Sequence, residues 1–397
     1  MIEKKKMMTA LGLLSLPLLS FGLLQSAAAV PVGFADPAFR ATWARTDFPV
    51  ASHAVSRTWF WGPAPNTPGL LEPNAESPGG LRLVQYFDKS RMEINNPSGN
   101  RGDQFFVTNG LLTIELISGR MQVGASTYTN RYPACIPATG DRGEQDAPTY
   151  FALQKVSNTT LGDHPALDHM GQPVAATINR TGVVGSDPSK ASTATNIAFY
   201  DTTTKHNIPG VFWRFLNSTG TVYENGRIVP AQVLINPWYY ASGHPISEAY
   251  WTKATIQGHL TSVLVQMYER RALTYVPTNA QGWQVEMANI GQHYYDWRYK
   301  GEGNCSAAPQ PTVQPTFAPT GTPEVTGTPA TPETTATAGT PQATGTAVPT
   351  GSAVPSAQPS GTATVVEPTR TLVVATGTVV PATSPTATST SVASPAK

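Results

Sequence analysis

Two stretches of this chain, "VQYFDKSRMEINNP" at 84–97 and "VQMYERRALTYVP" at 265–277, carry nearly the same sequence. In each stretch, apolar and polar side chains alternate on both sides of a charged centre, at 88–90 in the first copy and at 269–271 in the second. A period of two around a polar turn predicts a β-hairpin with one face toward a core. We therefore predict that the chain contains the same hairpin twice.

Two aromatic rings interrupt the polar face of these hairpins at equivalent positions, Phe87 in the first copy and Tyr268 in the second. Each ring either packs beneath a second layer or is offered to a ligand, and we favour packing. On the apolar face, Val84 and Val265 are equivalent and are expected to be buried.

The similarity continues on both sides of the hairpins. "AVSRTWFW" precedes the first hairpin and "PISEAYW" precedes the second, which aligns Ser56 with Ser247 and Trp59 with Tyr250. Apolar stretches follow both hairpins, and in the second the rings of "GQHYYDW" recur at helical spacing. Two related units of this kind should pack together, since one alone buries too little apolar surface.

Helix start signals lie upstream of each hairpin. Asp36 can cap a helix whose first position is Pro37, and Pro209 opens "GVFWRFLNS" in the second copy. Between the copies, "PVAATINRTGVV" and "TATNIAFYDT" have strand character. We predict a strand-rich α+β fold of two related helix–loop–hairpin units, with an irregular β-rich insert and a disordered Pro/Thr tail.

These observations divide the chain into five segments. They are a signal peptide (1–29), a first repeat unit (30–120), a β-rich insert (121–207), a second repeat unit (208–305) and a disordered Thr/Pro/Ala-rich stalk (306–397).

The two ends of the chain predict export. Lys4, Lys5 and Lys6 precede an apolar run that ends in "AAA" at 27–29, which is the pattern of a cleavable signal peptide. The segment 306–397 is too poor in large apolar residues to form a core, so removing 310–397 should leave stability unchanged. We expect a secreted protein, either free or associated with the cell surface, with no membrane span in the mature chain.

Composition restricts the partners and the metal chemistry. The formal net charge of +1 and the lack of a basic stripe argue against nucleic acid. The two cysteines, Cys135 and Cys305, are predicted to form an intramolecular disulfide, with free thiols or an intermolecular bond as alternatives. The histidines show no zinc-ligand spacing, so we predict no metal and no cofactor.

Acidic residues offer two weaker candidates for chemistry. Glu269 and Glu286 could serve hydrolysis of a glycan, but Arg270 and Arg271 beside Glu269 favour a solvated ion pair. The carboxylates of "GDRGEQDAP" at 140–148 have the oxygen ligands of calcium without the spacing of a known loop.

Clustered aromatic residues are the better candidates for binding. Flat rings with polar edges suit glycans and peptides, although the same rings could fill the core. The candidate binding residues are Trp59, Trp61, Phe87, Trp238, Tyr240, Trp251, Tyr268, His293 and Tyr295.

Residues 34–299 resemble a family of uncharacterised exported proteins from filamentous bacteria, in which "RLVQYFDKSRMEI", "GHPISEAYW" and "WQVE-A-N-GQHYY-WRY" recur beside a Thr/Pro-rich linker. That resemblance implies export and carries no activity. A looser similarity links the Gly-x-Pro-x-Ser turn at 243–247 to LGFP-type repeats of cell-envelope proteins, which implies association with the envelope. The first copy lacks this turn in its sequence.

Three functions remain open from the sequence. The favoured one is a non-catalytic surface or envelope module on a Pro/Thr-rich stalk, which binds an envelope glycan or another surface protein. A secreted hydrolase of cell wall or polysaccharide, using carboxylates of the second unit, is the first alternative. A self-assembling structural surface protein is the second.

Overall fold

The computed structural model describes residues 32–303, 305 and 314–319. The signal peptide predicted at 1–29, and most of the tail predicted at 306–397, lie outside these residues. Within the described part, no helix has the length and apolar character needed to cross a membrane.

The described helices are short, apart from the first. They are Pro37–Ala51 (α1), Leu112–Ser118 (α2), Tyr150–Leu153 (α3), Gly210–Leu216 (α4), Tyr239–Ser242 (α5) and Ile290–Tyr295 (α6), with α6 continuing as a π-helical segment, Asp296–Lys300. Short 3₁₀ turns occur at Pro78–Gly80, Pro188–Lys190 and Thr193–Thr195.

Strands dominate, as the sequence predicts. They are Leu70–Pro73 (β1), Leu81–Tyr86 (β2), Arg91–Ile94 (β3), Thr108–Asn109 (β4), Arg120–Gln122 (β5), Tyr128–Asn130 (β6), Ala176–Ile178 (β7), Val184–Ser186 (β8), Ile197–Asp201 (β9), His206–Pro209 (β10), Thr219–Glu224 (β11), Arg227–Gln232 (β12), Tyr250–Ile256 (β13), His259–Met267 (β14), Ala272–Tyr275 (β15), Val285–Met287 (β16) and Thr316–Phe317 (β17). The strand-rich α+β class is therefore confirmed.

Two sheets carry the two repeat units. One has the strand order β17-β1-β2-β3-β4, and the other has the order β16-β15-β14-β13-β7-β8. Strands β1 to β4 and strands β13 to β16 each form an antiparallel meander. The short pairs β5–β6, β9–β10 and β11–β12 complete the fold.

The two predicted hairpins have the same register. Tyr86 pairs with Arg91 in the β2–β3 hairpin, and Met267 pairs with Ala272 in the β14–β15 hairpin. The turns are closed by equivalent bonds, from the Phe87 amide in one and the Tyr268 amide in the other. Val84 and Val265 are both buried, as are the Phe87 and Tyr268 rings, which confirms the prediction that these rings pack inside.

The alignment predicted upstream of the hairpins is wrong. Leu70 pairs with Val84 as Tyr250 pairs with Val265, so Leu70 rather than Trp59 is the equivalent of Tyr250. The Thr67 hydroxyl accepts a hydrogen bond from the Tyr86 amide at 3.2 Å. The Ser247 hydroxyl accepts the corresponding bond at 3.1 Å, so Ser247 matches Thr67 rather than Ser56.

The Gly-x-Pro-x-Ser turn has a structural counterpart in the first unit. Gly62 and Gly243 both have positive φ, and a side chain on either would meet the acidic residue of its hairpin turn, Asp88 or Glu269. The first loop is "GPAPNT" and the second is "GHPIS", one residue shorter. This extra residue hides the equivalence in the sequence.

The polar face of the hairpins is buried rather than solvated. Gln85 and Gln266 are fully buried. The Gln85 side-chain amide donates to the Thr67 carbonyl, and that of Gln266 donates to the Ser247 carbonyl, both at 2.9 Å. Buried polar groups that have hydrogen-bond partners cost little free energy, so a polar side chain can occupy a buried face. Alternation of polar and apolar residues in the sequence therefore does not reveal that both faces of the hairpin are covered.

The units exchange contacts across their boundary. The Ile114 amide of α2 donates to the Glu269 carbonyl in the second hairpin turn, and the Gln292 amide of α6 donates to the Asp88 carbonyl in the first, both at 3.3 Å. Two apolar clusters contain side chains from both units; Val84 and Val265, for example, lie in the same one. The two units therefore share their core.

The ends of the fold are fixed by a covalent bond and by an added strand. Cys135 and Cys305 form the predicted disulfide, with their Cα atoms 5.1 Å apart. Residues 314–319 lie in the segment predicted to be a disordered tail, yet Phe317 pairs with Leu70 and Thr316 with Leu71. This short strand covers the outer edge of β1, a contact that composition alone does not predict.

Candidate functional site

The structure separates the nine predicted binding residues into two groups. Trp61, Phe87, Tyr240, Trp251 and Tyr268 are buried in the core. Trp59, Trp238, His293 and Tyr295 are half-buried. More than half of the predicted binding residues therefore pack inside the protein.

Trp238 belongs to a group of rings that reaches the surface. We call this group the aromatic platform; it consists of Phe199, Trp213, Trp238, Tyr239 and His244. Phe199 and Trp213 are stacked in parallel with ring centres 4.1 Å apart. The Trp238 ring stands edge-on to Trp213 at 5.5 Å and to His244 at 5.5 Å.

Three segments of the second half of the chain bring these rings together. Phe199 lies on β9 and Trp213 lies in α4. Trp238 directly precedes α5, Tyr239 is its first residue, and His244 lies two residues after its end. Phe199, Trp213 and Trp238 pack against the buried core, which fixes their orientation. All five are incompletely buried, and Tyr239 has 39% of its surface exposed. The platform therefore has a rigid base and an accessible side.

A buried carboxylate orients His244 at the edge of the aromatic platform. His244 Nδ1 lies 2.6 Å from Asp201 Oδ2, and the side chain of Asp201 is only 2% exposed. Burial alone would lower the pKa of His244, but the hydrogen bond to Asp201 and the negative charges of Asp201 and Glu269 together outweigh it and raise that pKa. Nδ1 therefore donates to Asp201, which leaves Nε2 as the atom that can reach a ligand.

The His244 ring also extends the aromatic surface. It stacks on Tyr239 with ring centres 4.4 Å apart and an angle of 24° between the planes. The turn that carries His244 is fixed by Glu269, whose carboxylate accepts the His244 amide at 3.0 Å. The platform thus combines flat apolar faces with one polar group of fixed orientation, which is the composition of many small-molecule sites.

The carboxylates predicted as an alternative site have separate surroundings. Glu269 accepts the His244 amide, while Glu286 lies in a cleft beside Lys89. The solvated ion pair expected at Glu269 is wrong, because Arg271 is buried and Arg270 donates to the Asn109 carbonyl at 2.8 Å. These contacts do not place the two carboxylates together around a single glycosidic bond.

The oxygen-rich segment at 140–148 supports a turn. The Asp141 carboxylate accepts the amides of Gln257 and Gly258, at 3.0 and 2.8 Å, and Glu144 accepts the Thr255 amide. These bonds hold the segment against the β13–β14 turn. Among the described residues, no group of three or more His, Cys, Asp or Glu side chains could hold a metal ion.

Comparison with known proteins gives no match: no family model, curated protein or solved structure is similar to this chain.

Sequence reasoning missed most of the aromatic platform. Trp238 was found because it is followed by two tyrosines. Phe199 and Trp213 stand in other segments, and only folding places them beside it. Asp201 carried no signal, since an aspartate at a strand end is common. The Gly-His-Pro turn was the one available pointer to His244.

Proposed function

We propose that this protein is a non-catalytic binding module that takes a glycan of the cell envelope on its aromatic platform. The observation that carries this proposal is the group of half-exposed rings, fixed from beneath by the core and bordered by the His244–Asp201 pair. Rings of this kind offer apolar faces for sugar rings, and His244 Nε2 offers a hydrogen bond to a hydroxyl group.

Export and presentation at the cell surface are part of the same proposal. The signal-peptide pattern supports them, and the disulfide is consistent with an oxidising compartment. The similarity of the Gly243 turn to envelope repeats supports the same location. A hydrolytic role receives no comparable support, because the Glu269 carboxylate is engaged with the His244 backbone amide.

A binding experiment with matched variants tests the proposal. Isolated cell wall and soluble oligosaccharides are titrated against the protein, with tryptophan fluorescence and co-sedimentation as readouts. Tyr239→Ala is expected to weaken binding about tenfold, because truncating the most exposed ring of the platform removes stacking without opening the core. Tyr132→Ala is the control, since Tyr132 is 48% exposed and lies outside the aromatic platform.

Two outcomes would contradict the proposal. One is the absence of saturable binding to every glycan tested. The other is an equal loss of binding in Tyr239→Ala and Tyr132→Ala, which would mean that the aromatic platform is not the contact surface.

A further inference from the structure

A second group of functional side chains lies at the boundary between the two units, away from the aromatic platform. We call this place the inter-unit cleft; Lys89, Asp141, Glu286, Asn289 and His293 are among its lining residues, and its volume is about 150 Å³. Lys89 comes from the first hairpin turn, whereas Glu286 and His293 follow the second hairpin. The cleft exists only because the units pack together.

The orientation of His293 follows from its neighbour. Tyr150 is fully buried, and its hydroxyl lies 2.9 Å from His293 Nδ1. This is the one acceptor that the described residues offer to the hydroxyl proton, so Tyr150 donates to Nδ1. Burial lowers the pKa of His293 to about 4, so the ring is neutral at pH 7. Nε2 then carries the proton and is a hydrogen-bond donor.

Lys89 and Glu286 complete the set of groups in the inter-unit cleft. In the described part of the chain, neither the Lys89 ammonium nor the Glu286 carboxylate makes a hydrogen bond or an ion pair within 4 Å. Burial lowers the pKa of Lys89 and raises that of Glu286, and each charge partly offsets the shift of the other. Charged groups in a cleft that have shifted pKa values and no partner within the protein are typical of ligand sites.

The internal repeat gives the inter-unit cleft a counterpart, formed by the second hairpin turn and by β4 and α2 of the first unit. The shared strand register makes Arg270 the equivalent of Lys89, and Thr108 the equivalent of Glu286. The matching bonds at the starts of α2 and α6 make Glu115 the equivalent of His293.

Each of these equivalents is engaged within the protein. Arg270 donates to the Asn109 carbonyl, and the Thr108 hydroxyl accepts from the Asn95 amide at 3.2 Å. Glu115 accepts from the Tyr294 hydroxyl. Where the second hairpin turn meets α2, each of these residues is thus bound within the protein, whereas in the inter-unit cleft the side chains of Lys89 and Glu286 have no partner among the described residues.

We propose that the inter-unit cleft binds a small carboxylate that has a hydroxyl or amino group on the adjacent carbon. The ligand carboxylate would lie between the Lys89 ammonium and His293 Nε2–H, since both are donors. Glu286 would accept from the neighbouring hydroxyl or amino group. Its negative charge disfavours a doubly charged anion such as phosphate, and the volume suits a molecule of a few non-hydrogen atoms or the end of a longer chain.

The experiment uses the purified protein with ¹⁵N-labelled histidine and probes of related structure. Lactate and alanine have the required neighbouring group, acetate lacks it, and 1,2-propanediol lacks the carboxylate. Alanyl-alanine tests whether the inter-unit cleft binds the end of a longer chain rather than a small free acid. The resonance of His293 Nε2, assigned with His293→Asn, reports binding at this cleft and is independent of the aromatic platform.

The expected result is a saturable shift with lactate or alanine, weaker binding of acetate, and no shift with 1,2-propanediol. Lys89→Gln should weaken binding at least about tenfold, because a charge-assisted hydrogen bond is lost. Lys89→Arg should retain part of the binding affinity. Glu286→Gln should bring the affinities for lactate and acetate closer together.

Lys253→Gln is the matched control, since Lys253 is exposed and does not line the inter-unit cleft. The proposal is overturned if no carboxylate shifts the His293 resonance at tens of millimolar. It is also overturned if Lys89→Gln binds as tightly as the unaltered protein, or if 1,2-propanediol binds as well as lactate.

Discussion

Single glycines decide whether the two units can approach each other. Gly291 lies at the start of α6, against the turn of the first hairpin. A Cβ atom at this position would overlap the Phe87 carbonyl oxygen and crowd the Ser90 backbone. Since backbone atoms cannot rotate away as a side chain can, the close contact at the unit boundary requires glycine here.

We therefore expect Gly291→Ala to lower the free energy of unfolding by at least about 2 kcal/mol. For a domain of this size, that corresponds to a fall of roughly 5 °C in the melting temperature. Gly33→Ala is the control, because a Cβ atom at Gly33 meets nothing within 4 Å. Thermal unfolding of the two variants checks the prediction, and equal melting temperatures would contradict it.

At the scale of elements, a buried ion cluster joins the strands of the first unit to the π-helical segment Asp296–Lys300 that continues α6. Glu72 of β1 lies 3.0 Å from Arg91 and 3.1 Å from Arg298, and all three side chains are almost completely buried. Tyr86 and Tyr299 donate to the other oxygen of Glu72 at 2.6 and 2.7 Å. The carboxylate is thus fully satisfied, which the fold requires of a buried charge.

This cluster makes stability depend on acid pH. Burial alone would raise the pKa of Glu72, but Arg298, Arg91 and Arg82 outweigh it and lower the pKa from 4.5 to about 2. Between these values the unfolded state binds the proton and the folded state does not. Stability should therefore fall as the pH is lowered from about 4.5 to about 2, by on the order of 3 kcal/mol from this group.

Denaturant unfolding from pH 2 to pH 7 measures this loss. Glu72→Gln should cost about 3–5 kcal/mol at pH 7, because the buried Arg298 loses the carboxylate it pairs with and Arg91 loses one of its carboxylate partners. The acid dependence of this variant should be shallower. Glu224→Gln is the control, since its ion pair with Arg45 is 39% exposed on the Glu224 side. An unchanged acid dependence in Glu72→Gln would contradict the assignment.

The elements themselves could largely be predicted from the sequence. The hairpins were predictable because period-two alternation survives even when both faces are buried. The equivalence of Leu70 and Tyr250 could not be predicted, because "SRTW" at 56–59 resembles "SEAY" at 247–250 and places the alignment eleven residues too far upstream, whereas Leu70 and Tyr250 have little in common. The rings of the aromatic platform come from distant segments, so only the tertiary fold reveals the site.

At the scale of the whole molecule, the strand at 316–317 changes what truncation should do. A chain that ends at residue 319 keeps this strand, and we expect it to unfold like the full protein. A chain that ends at residue 310 exposes the outer edge of β1. Because Phe317 is 56% exposed, the loss should be small, about 1 kcal/mol and a few degrees.

The open edge should also promote self-association of the shorter chain. Melting curves and light scattering of the two truncated forms check both effects. If the form ending at 310 melts and scatters like the form ending at 319, the strand contributes nothing and the tail acts only as a spacer.

The exchange of bonds between the units has a consequence for the origin of this molecule. In each unit, one helix amide donates to the hairpin turn of the other unit. In return, one carbonyl in its own hairpin turn accepts from the helix of the other unit. Two separate copies of a single unit could satisfy both by associating about a two-fold axis, which is the geometry of an isologous dimer. Once such a pair is fused into one polypeptide, the two halves can differ in sequence. One contact between a hairpin turn and a helix could then bind its polar groups within the protein, while the other kept charged groups accessible.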